Sequence, residues 1–204
     1  MSNLERSLAS SSVAQTLGVY EQWAENYNHD VIEEKYIAPR LAGDCLMRNL
    51  ASRNMEGLKI LDAGCGTGLV GEHLARHGAK HMDGIDLSPK MIEVARRSDV
   101  YQSLKVADLS RPLDVPSQSY DAVICVGTMT EGHVGPSAFD ELVRIAKPGG
   151  LVISTVRESV WQKNGYQSKV GALVDEGWVK VAEDGLEMHE IATGVRAVFV
   201  VLKV

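Results

Sequence analysis

Three aspartates in this 204-residue chain stand at the ends of successive apolar runs: Asp62 in KILDAG, Asp86 in HMDGID and Asp108 in KVADLS. Asp62 opens the segment LDAGCGTG, where Gly64, Gly66 and Gly68 allow a tight turn and close approach of the backbone to a ligand at a helix N-terminus. Spacing alone is ambiguous, because Gly66, Gly68 and Gly71 also satisfy the GxGxxG pattern of a dinucleotide-binding turn. The charge of Asp62 separates the two: a carboxylate there repels a pyrophosphate and attracts the ammonium and sulfonium of S-adenosyl-L-methionine. That cofactor, released as S-adenosyl-L-homocysteine, is the expected ligand.

Asp86 offers two oxygens to ribose hydroxyls, and Asp108 an acceptor near the adenine amino group, with Leu87, Met91 and Leu109 about the ring. Ala63, Cys65, Ala107 and Val126, at the same strand ends, complete the expected cofactor set. The competing reading is that each aspartate caps a turn or helix. Methyl transfer needs a general base only where the acceptor must lose a proton, and the loop TMTEGHVG offers His133 and Glu131 for that task. The residues before them, GTMT, lack the Asn/Asp-Pro-Pro-Tyr/Phe and Pro-Cys signatures of nucleobase methylation. His73 and His77, four apart on a helix, have Arg76 between them and no third ligand, so a solvated face is expected and no metal.

Positioning these residues requires alternating strands and helices, and from Leu58 onward short apolar runs alternate with amphipathic ones as in a parallel sheet with crossover helices. Strands are expected at Lys59–Gly64, His81–Ile85, Ser103–Ala107, YDAVICVG and LVISTV. Helices are expected at Leu69–His77, from Ser88-Pro89, at Ala138–Ala146 and at Gln167–Glu176. The runs WVKVA and VRAVFVVLKV add two antiparallel neighbours. The expected fold is therefore α/β: a Rossmann-like, seven-stranded, mostly parallel sheet with an antiparallel C-terminal strand and helices on both faces. Residues 1–57 form an N-terminal helical lid and residues 58–204 the core of one domain, and the serines between Ser7 and Ser12 are expected to fray.

Bulk properties narrow the partners. Twenty-seven acidic against twenty-one basic residues give a net charge of −6, which disfavours nucleic acid. No run approaches the ~20 apolar residues that cross a bilayer, and the N-terminus shows no signal-like segment, so a cytoplasmic protein without membrane contact is expected. Cys45, Cys65 and Cys125 are odd in number and widely spaced, which fits reduced thiols rather than a disulfide framework or thiolate zinc site. A monomer is favoured, although no feature fixes the oligomeric state.

The segments LDAGCGTG, GIDLS, VADLS, YDAVICVG and KPGG resemble the successive motifs of class I S-adenosylmethionine-dependent methyltransferases. More narrowly, VYEQWAENYNHDV, KYIAPRLAGDCL, CGTGLVGEHL and KPGGLVIST resemble the methyltransferase-like proteins named after the Williams-Beuren syndrome region. The resemblance implies that an N-terminal aromatic segment closes over the cofactor through Trp23, Tyr27, Tyr36 and Arg40, with Arg40 pairing the methionine carboxylate. Tyr20, Trp23, Ala24 and Tyr27 share one helix face, which ordinary core packing explains equally well. A small-molecule acceptor in a closed pocket is the leading expectation. A protein methyltransferase, a cofactor-binding module without its own catalysis and a nicotinamide-dependent oxidoreductase are the alternatives.

Overall fold

A computed structural model describes residues 3–10, 12–50 and 53–204. The alternation that runs through KILDA and YDAVICV sends successive side chains to opposite faces, and both faces are buried. Ile60, Ile124 and Ile153 pack with one set of helices, while Leu61, Val123 and Val152 pack with the other. Five strands result: β1 (Lys59–Ala63), β2 (His81–Asp86), β3 (Ser103–Val106), β4 (Tyr120–Met129) and β5 (Ala146–Arg157). They lie parallel in the order β3-β2-β1-β4-β5. The order reverses between β1 and β4, and the crevice at the carboxyl ends of such strands is where open α/β sheets bind ligands.

Three strands close the sheet. β6 (Lys180–Val181), β7 (Glu187–Ala192) and β8 (Val195–Lys203) are antiparallel, with β8 paired to β5 and both β6 and β7 paired to β8. The sheet thus has eight strands where seven are expected. The additional strand is β7, EMHEIA, whose mixed exposure hides any apolar alternation, and the two-residue turn Thr193-Gly194 joins it to β8 with Gly194 at φ +71°.

Nine helices surround the sheet among the described residues: α1 (Asn3–Leu8), α2 (Val13–Trp23), α3 (Tyr27–Glu33), α4 (Ala38–Asn49), α5 (Leu69–Arg76), α6 (Pro89–Arg96), α7 (Ala138–Ile145), α8 (Glu158–Trp161) and α9 (Tyr166–Asp175). Ser88 caps α6 by accepting from Met91 N at 3.2 Å, and Pro89 occupies the first helical position, where its missing N–H leaves no bond unmade. Leu46 of α4 joins Ile60 and Leu74 in one core, whereas Val19, Trp23 and Val31 of α2 and α3 form a separate cluster over the strand ends.

The N-terminal serines depart from expectation. Ser7 and Ser10 are buried, Ser10 Oγ donates to Ser7 O at 2.7 Å, and Ser12 caps α2, because capping and burial consume the hydroxyls that solvent would otherwise take. Ser11 lies outside the described residues. Among the described residues, no helix is long and apolar enough to cross a membrane.

Candidate functional site

The glycine loop is built by backbone geometry that side chains resist. Gly64, Gly66 and Gly68 adopt φ of +78°, +53° and +97°, and a Cβ on Gly64 would come within 2.3 Å of Thr128 Oγ1. Gly64 N and Cys65 N both donate to Ile85 O at 2.8 and 2.9 Å, which ties the loop to β2. Gly68 is the N-cap of α5.

Asp62 lies behind this loop rather than in front of it. It is 1% exposed and does not line the cleft; its Oδ2 accepts from Tyr101 Oη at 2.6 Å, while Oδ1 has no hydrogen-bond partner among the described residues. Burial pushes its carboxyl up to about 7, only partly offset by the bond from Tyr101, and the nearby Asp86 adds to the rise. The Tyr101 ring fits a slot made by absent side chains: a Cβ on Gly71 would meet it at 2.3 Å, and those on Gly68 and Gly84 at 3.2 Å. The third glycine of the GxGxxG spacing therefore serves packing against Tyr101. Sequence reasoning missed Tyr101, which has no motif of its own.

A cleft of about 760 Å³ opens in front of the loop. Of the expected cofactor residues, Tyr27, Gly64, Gly66, Asp86, Leu87, Met91, Ala107, Asp108, Leu109 and Val126 line it. Ala63, Cys65 and Gly68 support the loop without lining the cleft. Asp86 Oδ2 accepts from Gly66 N and Oδ1 from Ser88 N, each at 2.8 Å. Leu87 N also bonds this carboxylate, which keeps acceptor capacity for a ribose hydroxyl. Desolvation raises the Asp86 pKa against these backbone bonds. Asp108 both lines the cleft and bonds Ser110 N and Oγ, so lining and turn-capping coexist. The glycine cradle, the doubly anchored carboxylate and the apolar slot at Leu87, Met91 and Leu109 fit an adenosyl group carrying a sulfonium tail.

Helices α2 and α3 cover the cleft, and bonds to the core pin them and the turn between them. Thr67 Oγ1 donates to Asn28 Oδ1 at 2.5 Å, Ser88 Oγ to Glu21 Oε1 at 2.5 Å, Arg97 bonds both Glu25 oxygens, and Thr16 Oγ1 donates to Gly132 O at 3.0 Å. Beneath them lies a second cavity of about 680 Å³, and Tyr20, Tyr27 and Gly127 border both spaces. Trp23 and Tyr36 line this second cavity and not the cleft; Trp23 Nε1 donates to Asp30 Oδ2 at 2.7 Å, which fixes its ring. Arg40 reaches neither space, because α4 places it one turn from Asp44, with which it pairs at 3.1 Å on the surface. A carboxylate-pairing role for Arg40 has no support in this geometry.

The two base candidates separate. Glu131 lines neither space and is held by Thr130 at 2.7 Å, Ser159 at 2.5 Å and Arg157 at 3.5 Å. Burial raises its pKa, but these partners outweigh it and hold the carboxyl below its usual value, which makes it an anchor. His133 lines the cleft, its Nδ1 bonded to Glu131 O at 2.6 Å and its Nε2 3.3 Å from Tyr20 Oη. Burial lowers its pKa despite the bond to the carbonyl, so the ring is neutral near pH 7. His73 is buried against Gly43 and bonded to Asp44 at 3.1 Å rather than solvated; only His77 is exposed. Among the described residues, no group of three or more His, Cys, Asp or Glu is placed to hold a metal.

Residues 60–150 match a family model described as a methyltransferase domain. The chain is 43% identical over 146 residues to methyltransferase-like protein 27 of Homo sapiens, covering 71% of this chain and 59% of that one. It is 36% identical to the ubiquinone biosynthesis O-methyltransferase of Xylella fastidiosa over 52% of this chain and 45% of that one. The chain thus spans about half the length of the curated relatives it matches. Among solved structures, the magnesium protoporphyrin IX methyltransferase of Synechocystis PCC 6803 with bound S-adenosylmethionine shares the fold at 18% identity and a TM-score of 0.63, covering 98% of this chain and 89% of that one.

Proposed function

We propose that this protein transfers a methyl group from S-adenosylmethionine to a small-molecule acceptor held in the second cavity. The observation that carries this reading is the meeting of the two spaces at Tyr20, Tyr27 and Gly127, beside the glycine loop. When bound, the cofactor supplies an electrophilic methyl on a positively charged sulfur. The chain's own residues hold and enclose. Asp86 would accept from the ribose and Leu87, Met91 and Leu109 would flank the base, while α2 and α3 exclude water, so that proximity would lower the barrier. Trp23, Tyr27 and Tyr36 act on the acceptor side, Tyr27 bordering both.

The second cavity is lined largely by aromatic and apolar side chains, and this favours a small acceptor over a protein segment, which needs an open groove. The ubiquinone biosynthesis relatives point the same way. One domain with its lid over residues 1–57, acting as a monomer in the cytoplasm, is part of this reading.

Calorimetry with purified protein tests it: S-adenosylhomocysteine binds in the micromolar range, and tritium from methyl-labelled S-adenosylmethionine appears in a low-molecular-weight product of a metabolite extract. Label found only in protein would sink the small-molecule reading.

A further inference from the structure

Tyr20 stands where the two spaces meet, and its hydroxyl is committed on two sides. Its side chain is bonded to Ser7, and its Oη lies 3.3 Å from His133 Nε2. His133 Nδ1 faces the carbonyl of Glu131, an acceptor only, so Nδ1 carries the ring proton and Nε2 presents a lone pair toward Tyr20. The ring edges also meet, with centroids 5.7 Å apart at 78°. Tyr20 therefore donates to His133 and accepts from Ser7, and it retains one lone pair for a donor in the cavity.

The second cavity dictates what that donor belongs to. Tyr20 stacks on Trp23 with centroids 5.9 Å apart, and Tyr27 meets Trp23 edge-on at 4.7 Å, so one wall is aromatic. Met129, Ile191 and Val195 make the opposite walls apolar. Of the two charged side chains lining it, Arg157 is paired with Glu131 and Glu34 is exposed. Such a site favours a flat, uncharged ring system.

We propose that the second cavity receives a neutral, ring-bearing hydroxy compound, and that Tyr20 and His133 together take the proton from its hydroxyl as the oxygen is methylated. The inference rests on the methyltransferase reading above. The acceptor oxygen forms a bond to the methyl carbon while the sulfur–methyl bond breaks and its electron pair stays on sulfur. The hydroxyl proton passes to Tyr20 Oη as the Tyr20 proton passes to His133 Nε2, and the imidazolium then releases a proton to water. Tyr20 is pushed up to about 12 by burial, so it relays as a neutral phenol and does not itself hold the negative charge. The groups facing the pair are Ser7 of α1, Glu131 on the same loop, Arg157 of β5 behind Glu131 and Asp86 at the end of β2.

The test uses 2-naphthol and naphthalene-2-thiol as acceptors. Near pH 8 the aryl thiol is already ionised and needs no base, whereas the naphthol does. The expected result is that wild-type protein methylates both, and that Tyr20→Phe and His133→Gln lose on the order of 10²-fold in kcat with naphthol but less than about threefold with the thiol. Equal losses on both acceptors, with S-adenosylhomocysteine affinity retained, overturn the base assignment. Ala192→Phe, which fills the second cavity away from the cleft, is expected to abolish turnover of both and leave S-adenosylhomocysteine binding intact; retained turnover removes the acceptor from this cavity. Wild-type protein that binds S-adenosylhomocysteine yet methylates neither probe overturns the substrate class and leaves the methyltransferase reading standing. Failure to bind S-adenosylhomocysteine defeats both.

Discussion

Asp86 is held by backbone N–H groups and keeps acceptor capacity toward the cleft, so Asp86→Ala is expected to cost about 1.5–3 kcal/mol of cofactor affinity, read by calorimetry. An unchanged affinity removes it from the site. Asp62 is governed by different physics. Its folded pKa, near 7, lies above its unfolded value, so the folded state binds the extra proton between roughly pH 4 and 7 and stability falls as pH rises through that window. The contribution of Asp62 is read as a difference: in denaturant titrations of the cofactor-free protein, the stability of wild type relative to Asp62→Asn is expected to fall as pH rises through this window. A pH dependence identical in wild type and variant contradicts the burial account. The sequence placed both aspartates at strand ends. It could not show that Asp62 turns behind the loop, because that depends on Tyr101, thirty-nine residues away, finding its slot among Gly68, Gly71 and Gly84.

At the scale of elements, the Tyr101 slot and the lid pins carry the consequences. Gly71→Ala drives a Cβ into the Tyr101 ring and is expected to destabilise the protein by about 1–3 kcal/mol in thermal or denaturant unfolding. Asn28→Ala removes the bond from Thr67 that joins α3 to the glycine loop, with an expected loss near 1 kcal/mol, about fivefold, in cofactor affinity and a faster dissociation rate in stopped flow. Unaltered dissociation would mean that the lid does not gate the cleft. The parallel strands and the caps of α5 and α6 were legible because periodicity, Gly68 and Ser88-Pro89 are local signals. Strand β7 was not: EMHEIA is held by its ladder to β8 rather than by its own pattern. Neither was the position of Arg40, for helical spacing gives the face of α4 but not which neighbour covers it.

Across the whole molecule, the parallel sheet with its reversal between β1 and β4 fixes where a ligand sits, and α1 to α3 divide the space above it into a cofactor cleft and an adjoining cavity. In the sequence alone, the charge of Asp62 selects the cofactor. The structure moves the weight of that choice to the Asp86 carboxylate, the glycine cradle and the apolar slot, since Asp62 does not reach the cleft. The net charge of −6 sets a repulsive background for phosphate-rich ligands and is consistent with the same choice. The most direct measurement is a calorimetric titration of the purified protein with S-adenosylhomocysteine and, separately, with NAD. Saturable micromolar binding of the former and no heat from the latter is the predicted result; binding of NAD without S-adenosylhomocysteine would contradict the account at its root.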